Sequence, residues 1–336
     1  MFINKVPERV YLLEKIKNIT PDIFDQTAVE VCHYQYFNNP VYKQYADLLG
    51  VKINADMSAV DIPYLPISLF KNHTVKTGEW PSVKIFESSG TTGQLTSKHH
   101  VRDLSWYESI SSSLFEDRFG TINNYSMLAL LPSYLERDHS SLVQMVRFFM
   151  DKSGSPLNGW YLYDHDKLAI HINKCISENK PCILWGVTFA LLDFCSDYRF
   201  TDCRNIYVIE TGGMKGKGKE LTREEAHALI QNAMPGARIF SEYGMTELLS
   251  QAYTVAGKST FVPGKTFKMD TVEINDPLQR AGYGKTGVIR VTDLANLDSC
   301  AFICTEDIGK TNQDGTFEVI GRLDQSELRG CNLMIQ

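Results

Sequence analysis

Four clusters of polar residues have the types that phosphate and nucleotide chemistry require. Ser88-Ser89-Gly90-Thr91-Thr92-Gly93 directly follows a strand-like run, Lys84 to Glu87. Its glycines let the backbone turn sharply, and its hydroxyls and amide N–H groups can cradle an anion. Lys98 lies close enough in sequence to add positive charge. A Walker loop is excluded, because the Gly-Lys-Ser/Thr ending is missing. Ser241-Glu242-Tyr243-Gly244-Met245-Thr246-Glu247 follows a second strand-like run, Ala237 to Phe240. It joins an aromatic face, a hydroxyl and carboxylates, which at a strand's carboxyl end can stack a base and hold a divalent cation. Thr305-Glu306-Asp307-Ile308-Gly309, placed after a strand, offers carboxylates suited to ribose hydroxyls. Gly321-Arg322-Leu323-Asp324 adds a basic and acidic pair. Taken singly, each of these stretches also fits a solvated loop.

The elements that must position them alternate between strand and helix. Strands are predicted at Lys84 to Glu87, Ser126 to Leu131, Cys182 to Val187, Asn205 to Glu210 and Ala237 to Ser241. Helices are predicted at Leu104 to Phe119, Ser141 to Lys152, Lys167 to Glu178, Phe189 to Asp197 and Thr222 to Met234. Thr222 and Glu225 have the spacing of a capping box. This alternation predicts an α/β fold with helices covering a largely parallel sheet. The first sixty residues read as helical, with Thr20-Pro21 and Asn39-Pro40 as helix starts. After Phe261 the pattern becomes Gly-rich and strand-like, at Val272 to Ile274, Gly287 to Thr292, Ala301 to Cys304 and Thr316 to Ile320.

Composition narrows the partners. The 336 residues are 43% hydrophobic, ample for a sizeable core or two. Lys plus Arg (34) against Asp plus Glu (40) gives a net charge of −6, and no Lys/Arg run is present. That argues against nucleic acid as a partner. None of the eight cysteines forms a Cys-x-x-Cys pair, so a structural zinc site is not expected. The N-terminus has no signal-peptide core, and the longest apolar stretch, Cys182 to Phe194, falls short of the about 20 residues a span needs. Free thiols, no signal and no span predict a cytoplasmic protein without integral membrane association.

In order and spacing, the four stretches resemble the adenylate-forming superfamily of acyl and aryl acid ligases. Thr211-Gly212-Gly213 is similar to that family's adenine-flanking loop. Leu65 to Lys71, Pro132 to Arg137 and Ser140 to Leu142 resemble the acyl-protein synthetases, the fatty-acid-activating subunits of the bioluminescence fatty acid reductase. Phenylacetate–CoA ligases are the next resemblance. What this implies for the fold is an adenylate-forming N-terminal domain of layered sheets and helices plus a small β-rich subdomain, the C-terminal ligase domain being absent. The implied division is a helical segment packed on the main domain (1–80), an α/β adenylation core (81–259), a β-rich subdomain (260–320) and a hinge with a short tail (321–336).

The implied activity is ATP-dependent conversion of a carboxylic acid, in these synthetases a fatty acid, to an acyl-adenylate, then transfer to a thiol. The implied cofactors are ATP and Mg²⁺, and an acyl reductase or acyl-carrier protein is the implied partner. By resemblance, Ser88, Ser89, Gly90, Thr91, Thr92 and Gly93, with Lys98, would hold the β and γ phosphates. Thr246 would donate to the α-phosphate, and Glu247 would ligate the metal. Gly212, Gly213, Tyr243 and Gly244 would flank adenine, and Asp307 would take the ribose hydroxyls with Arg322 alongside. Cys331, in Arg329-Gly330-Cys331-Asn332, would carry the acyl group. An acid–CoA or acid–carrier-protein ligase, and a non-catalytic nucleotide-binding module, stay open at this point.

Other candidates have plainer readings. His99-His100 reads as a solvated pair and Asp164-His165-Asp166 as a helix cap. Trp185 and Phe189 read as core packing. His139 fits an acyl-site wall or a surface position equally, and Lys215 to Lys219 reads as a surface loop.

Overall fold

The computed structural model describes residues 6–88, 95–131, 139–212 and 221–323. Two compact units are present. One is Ser82–Gly264; the other gathers the described residues up to Pro81 and from Lys265 on.

The α/β unit opens with a hairpin, β1 (Lys84–Glu87) and β2 (Lys98–Val101), paired antiparallel. Helix α1 (Leu104–Phe119) follows, capped by Asp103, whose carboxylate accepts from the amides of Ser105 and Trp106. Next come β3 (Ser126–Leu130), α2 (Ser141–Ser153), β4 (Gly159–Trp160), α3 (His165–Ser177), β5 (Cys182–Val187) and α4 (Thr188–Asp197). After them come β6 (Ile206–Thr211), α5 (Arg223–Ala233) and β7 (Arg238–Tyr243). Strands β3 and β5 are buried along their whole length, which suits parallel strands covered on both faces. The parallel order is β4-β3-β5-β6-β7. Antiparallel β8 (Ala252–Thr254) and β9 (Thr260–Pro263) extend it beyond β7. Thr222 and Glu225 make a reciprocal capping box, Asp164 caps α3 and Asn39 accepts from the Tyr42 amide, whereas Thr20 makes no cap bond and precedes a single 3-10 turn, Pro21–Ile23. A side-chain cap stabilises its helix by about 1 kcal/mol.

In the other unit, helices Arg9–Lys17, Phe24–Asn38 and Pro40–Leu48 accompany an antiparallel sheet. Its strands are β10 (Phe267–Glu273), β11 (Asp276–Arg280), β12 (Gly287–Asp293), β13 (Phe302–Thr311) and β14 (Phe317–Arg322), in the order β11-β10-β12-β13-β14. Leu65–Pro66 adds a short parallel pairing to β13. The described residues up to Pro81 and from Lys265 on thus share one unit, where the sequence reading kept 1–80 and 260–320 apart. Polar anchors explain it. The buried Gln35 amide donates to the carbonyls of Asn296, Leu297 and Ser299, while its oxygen accepts from the amide of Ala301. Asn39 donates to Ser299 at 2.9 Å, and Arg9 grips Asp298 through two 2.6 Å bonds.

The helices and strands expected between Lys84 and Ser241 lie within two residues of their observed bounds. Two corrections stand out. Lys98–Val101 is a strand, although its Lys-His-His composition does not suggest one. Thr305 to Gly309 lies inside β13 instead of following a strand. Neighbouring strands on both sides supply its backbone partners, so the polar run stays extended. No helix among the described residues is long and apolar enough to cross a membrane.

Candidate functional site

The loop at Gly244 to Glu247 leaves the carboxyl end of β7, beside the end of β6. Tyr243, the last strand residue, is buried with its ring edge-on to Phe261 at 5.9 Å. A Cβ at Gly244 would lie 2.9 Å from Oε1 of Glu242, so a larger residue there would make that side chain shift. Thr246 is half-buried, and Glu247 is only 5% exposed, less open than a solvated loop carboxylate.

Hairpin β1–β2, whose strands flank the Ser/Thr/Gly stretch in sequence, belongs to the same unit. Its neck is closed twice: the Ser88 amide donates to the Ser97 carbonyl at 3.1 Å, and the Ser97 amide donates to Ser88 Oγ at 2.9 Å. Lys98 stands exposed opposite Glu87 in the ladder. His99 is 1% exposed, and its Nδ1 lies 2.8 Å from the carbonyl oxygen of Thr246. His100 Nδ1 lies 2.9 Å from Ser82 Oγ. The expected solvated histidine pair is therefore corrected: the alternation of the unrecognised strand turns His99 inward.

Behind the loop, two carboxylates end neighbouring strands. Glu210, buried near the end of β6, is in register with Ser241 on β7. It accepts from Thr188 Oγ1 and, at 2.7 Å, from Ser241 Oγ, while His227 Nε2 lies 3.9 Å from its Oε2. Burial pushes its pKa up, yet nearby His227 and the bonds from Thr188 and Ser241 outweigh that and hold it below the usual range. Among the described residues, no such donor meets Glu242. Burial, then the Glu210 charge, push it up to about 8. One carboxylate is kept ionised and its neighbour protonated. Sequence reasoning missed Glu210, though a Glu inside the apolar run Ile206 to Ile209 is a signal that could have been used.

No family model matches the sequence. The long-chain-fatty-acid–luciferin-component ligase of Vibrio harveyi is 23% identical over 339 residues, covering 89% of this chain and 84% of that one. A 2-hydroxyisobutyryl-CoA ligase, solved in an open conformation with 2-HIB-AMP and CoA, is similar with a TM-score of 0.64 at 13% identity. The match covers 90% of this chain and 70% of that one. For the O-succinylbenzoate coenzyme A synthetase of Bacillus subtilis, in complex with ATP and magnesium ion, the TM-score is 0.51 at 18% identity, over 72% of this chain and 50% of that one. The chain has the adenylate-forming ligase fold. It spans about half the length of several solved ligases of this fold, 47% and 50% of two ATP-bound ones.

On the adenylate-forming ligase fold, the Tyr243 to Glu247 loop occupies the carboxyl end of a parallel strand, where open α/β sheets bind ligands. In the antiparallel unit, Asp307 and Arg322 are cross-strand partners, with Arg322 Nε 3.8 Å from Asp307 Oδ1 and Nη2 3.7 Å from Glu306 Oε2. Arg322 is 69% exposed, so its hold on these carboxylates is loose. Gly212 is exposed just past the end of β6. Ser89, Gly90, Thr91, Thr92, Gly93, Gly213, the Lys215 to Lys219 stretch and Cys331 lie outside the described residues. Trp185 is fully buried against Phe115 and Phe149, as expected of core packing. His139 is exposed, and its carbonyl accepts from the Glu87 amide at 2.9 Å.

The protonated Glu242 makes a testable demand on stability. Its folded pKa lies above its ordinary value of 4.5, so its contribution is intact below that pH and is lost as pH rises towards 8. Glu242→Gln carries no such titration. Urea unfolding at pH 5 and pH 8.5 should show near-equal stability at the lower pH and a more stable variant at the higher. The gap is several kcal/mol, at about 1.4 kcal/mol for each tenfold change in proton affinity. Parallel profiles would mean that Glu242 is ionised throughout.

Proposed function

We propose that this chain activates a carboxylic acid, with a fatty acid as first candidate, by forming an acyl-adenylate from ATP and passing the acyl group to a thiol. The observation that carries the reading is the tie between the neck of the Ser/Thr/Gly turn and the Tyr243 to Glu247 loop, on a fold shared with ATP-bound ligases. The hairpin neck and the Tyr243 to Glu247 loop meet in one unit, 147 residues apart at the His99–Thr246 bond.

In the first step an oxygen of the acid attacks the α-phosphorus of ATP, and the bond to the pyrophosphate oxygen breaks. Attacker and target are both anionic, so donors must neutralise them. Ser88 to Gly93 and Lys98 hold the β and γ phosphates, and the Thr246 hydroxyl donates to the α-phosphate. Glu247 holds Mg²⁺. No cluster of three His, Cys, Asp or Glu ligands exists among the described residues. A lone carboxylate still fits this ion, which keeps several waters and takes one or two carboxylates beside substrate phosphates. When bound, the ion supplies positive charge against the phosphate oxygens. Gly212, Gly213, Tyr243 and Gly244 flank adenine, and Asp307, with Arg322, takes the ribose hydroxyls.

In the second step the Cys331 sulfur attacks the acyl carbonyl carbon, the bond to the AMP oxygen breaks, and the thiol proton passes to solvent. An acyl reductase or acyl-carrier protein then receives the acyl group. Coenzyme A is the competing acceptor, favoured by the likeness to a CoA ligase solved with CoA. ATP as substrate and cysteines without disulfides among the described residues support a cytoplasmic site of action.

Incubation with ATP and a panel of carboxylic acids, with hydroxylamine trapping, tests the reading. Hydroxamate from a fatty acid is the expected result; ATP binding without hydroxamate from any acid would leave a nucleotide-binding module. Asp307→Ala should weaken ATP far more than the acid, since two ribose hydroxyls lose a charged acceptor worth about 1.5–3 kcal/mol per bond. Calorimetry showing equal ATP affinity in both proteins would refute the assignment.

A further inference from the structure

We propose that, given the adenylation reading above, His99 is a positioning residue that fixes the Thr246–Glu247 loop by tying its backbone to the neck of the Ser88–Ser97 turn. A carbonyl oxygen can only accept, so at 2.8 Å from Thr246 the His99 Nδ1 carries the hydrogen. That fixes the tautomer. The ring itself is already oriented. It lies edge-on to Phe86, its register partner on β1, at 6.4 Å, and Phe86 in turn lies edge-on to Tyr107 of α1 at 5.2 Å.

Two loops therefore share one rigid joint. On the hairpin side, Lys98 precedes His99 directly, and Ser97 closes the neck against Ser88. On the other side, the bonded carbonyl belongs to Thr246, so the joint acts on the peptide plane that leads to Glu247. Losing the bond removes one fixed point of the peptide that joins Thr246 to Glu247. Misplacement of reacting groups by about 1 Å can cost about 100-fold in rate. A group that merely filled space would need no nitrogen here.

Three variants separate positioning from packing. Asn carries its amide nitrogen at the δ position and can restore the bond to Thr246; Gln places it one bond further out; Leu fills volume with no donor. Hydroxylamine-trapped adenylate formation should fall about 30–100-fold in kcat for His99→Leu and His99→Gln, with KM for ATP within about threefold. His99→Asn should return to within about fivefold of wild type, although all three lose the ring contact and a similar part of Tm. Hydrogen exchange of the peptide covering residues 244–250 is read in parallel. It should be about tenfold faster in the Leu variant than in the Asn variant. Equal kcat in the Leu and Asn variants, or a Leu variant within about threefold of wild type, would overturn the positioning role. The exchange measurement separates the two ideas. A wild type that forms no adenylate, with the exchange difference intact, removes the adenylation reading and keeps the tie; no exchange difference removes the tie itself. Should the Leu variant not fold, the Asn and Gln pair makes the same comparison.

Discussion

Glu247→Gln is expected to lower acyl-adenylate formation by about 100-fold or more while the protein stays folded. On the proposed reading Glu247, at the end of the Tyr243 to Glu247 loop, would be the hard oxygen ligand, and Mg²⁺ binds through such oxygens. Gln keeps the volume and one carbonyl oxygen but removes the charge. Because Glu247 is nearly buried, the change should cost more than an exposed substitution, about 1 kcal/mol. Pyrophosphate release at the wild-type rate, with magnesium dependence unchanged, would show that the metal is held elsewhere.

The second large effect is all-or-none. After incubation with ATP and a labelled fatty acid, intact-mass spectrometry should find a hydroxylamine-labile acyl adduct on the wild type. Cys331→Ala should still make the adenylate and carry no adduct. A thiolate attacks an activated carbonyl far better than a hydroxyl does, and on the proposed reading Arg329, two residues away in sequence, would favour that form. Three of the described cysteines are poor rivals. Cys32, Cys195 and Cys300 are buried, and burial pushes each up to about 12, which keeps them protonated. An adduct that persists in the variant, or that forms only on added CoA, would move the acceptor away from Cys331.

Much of the fold was legible because its signals are local. Fully apolar runs such as Cys182 to Val187 announce covered parallel strands, and Thr222 with Glu225 announces a helix start within four residues. The motif stretches were legible by residue type and order. What escaped depends on contacts that sequence spacing does not carry. His99 faces inward because the Lys98–Val101 run pairs with Lys84–Glu87, and its partner is 147 residues away. The opposite charge states of Glu210 and Glu242 follow from which of them meets Thr188, Ser241 and His227. Gln35 reads as one more polar helix residue until the carbonyls of Asn296, Leu297 and Ser299 are placed around it.

That last contact bears on how the chain comes off the ribosome. Gln35 must wait for carbonyls 261 to 264 residues downstream. At about 5–20 residues per second, the delay is roughly 13–50 s. Throughout it, the apolar faces of the first helices, with Leu12, Ile16, Val31 and Cys32, lack the sheet that follows Lys265. Ser82–Gly264 is complete in sequence well before then and can collapse on its own contacts. The interval leaves an unsatisfied N-terminal segment open to aggregation or to capture by a chaperone, with a length set by translation speed and not by folding.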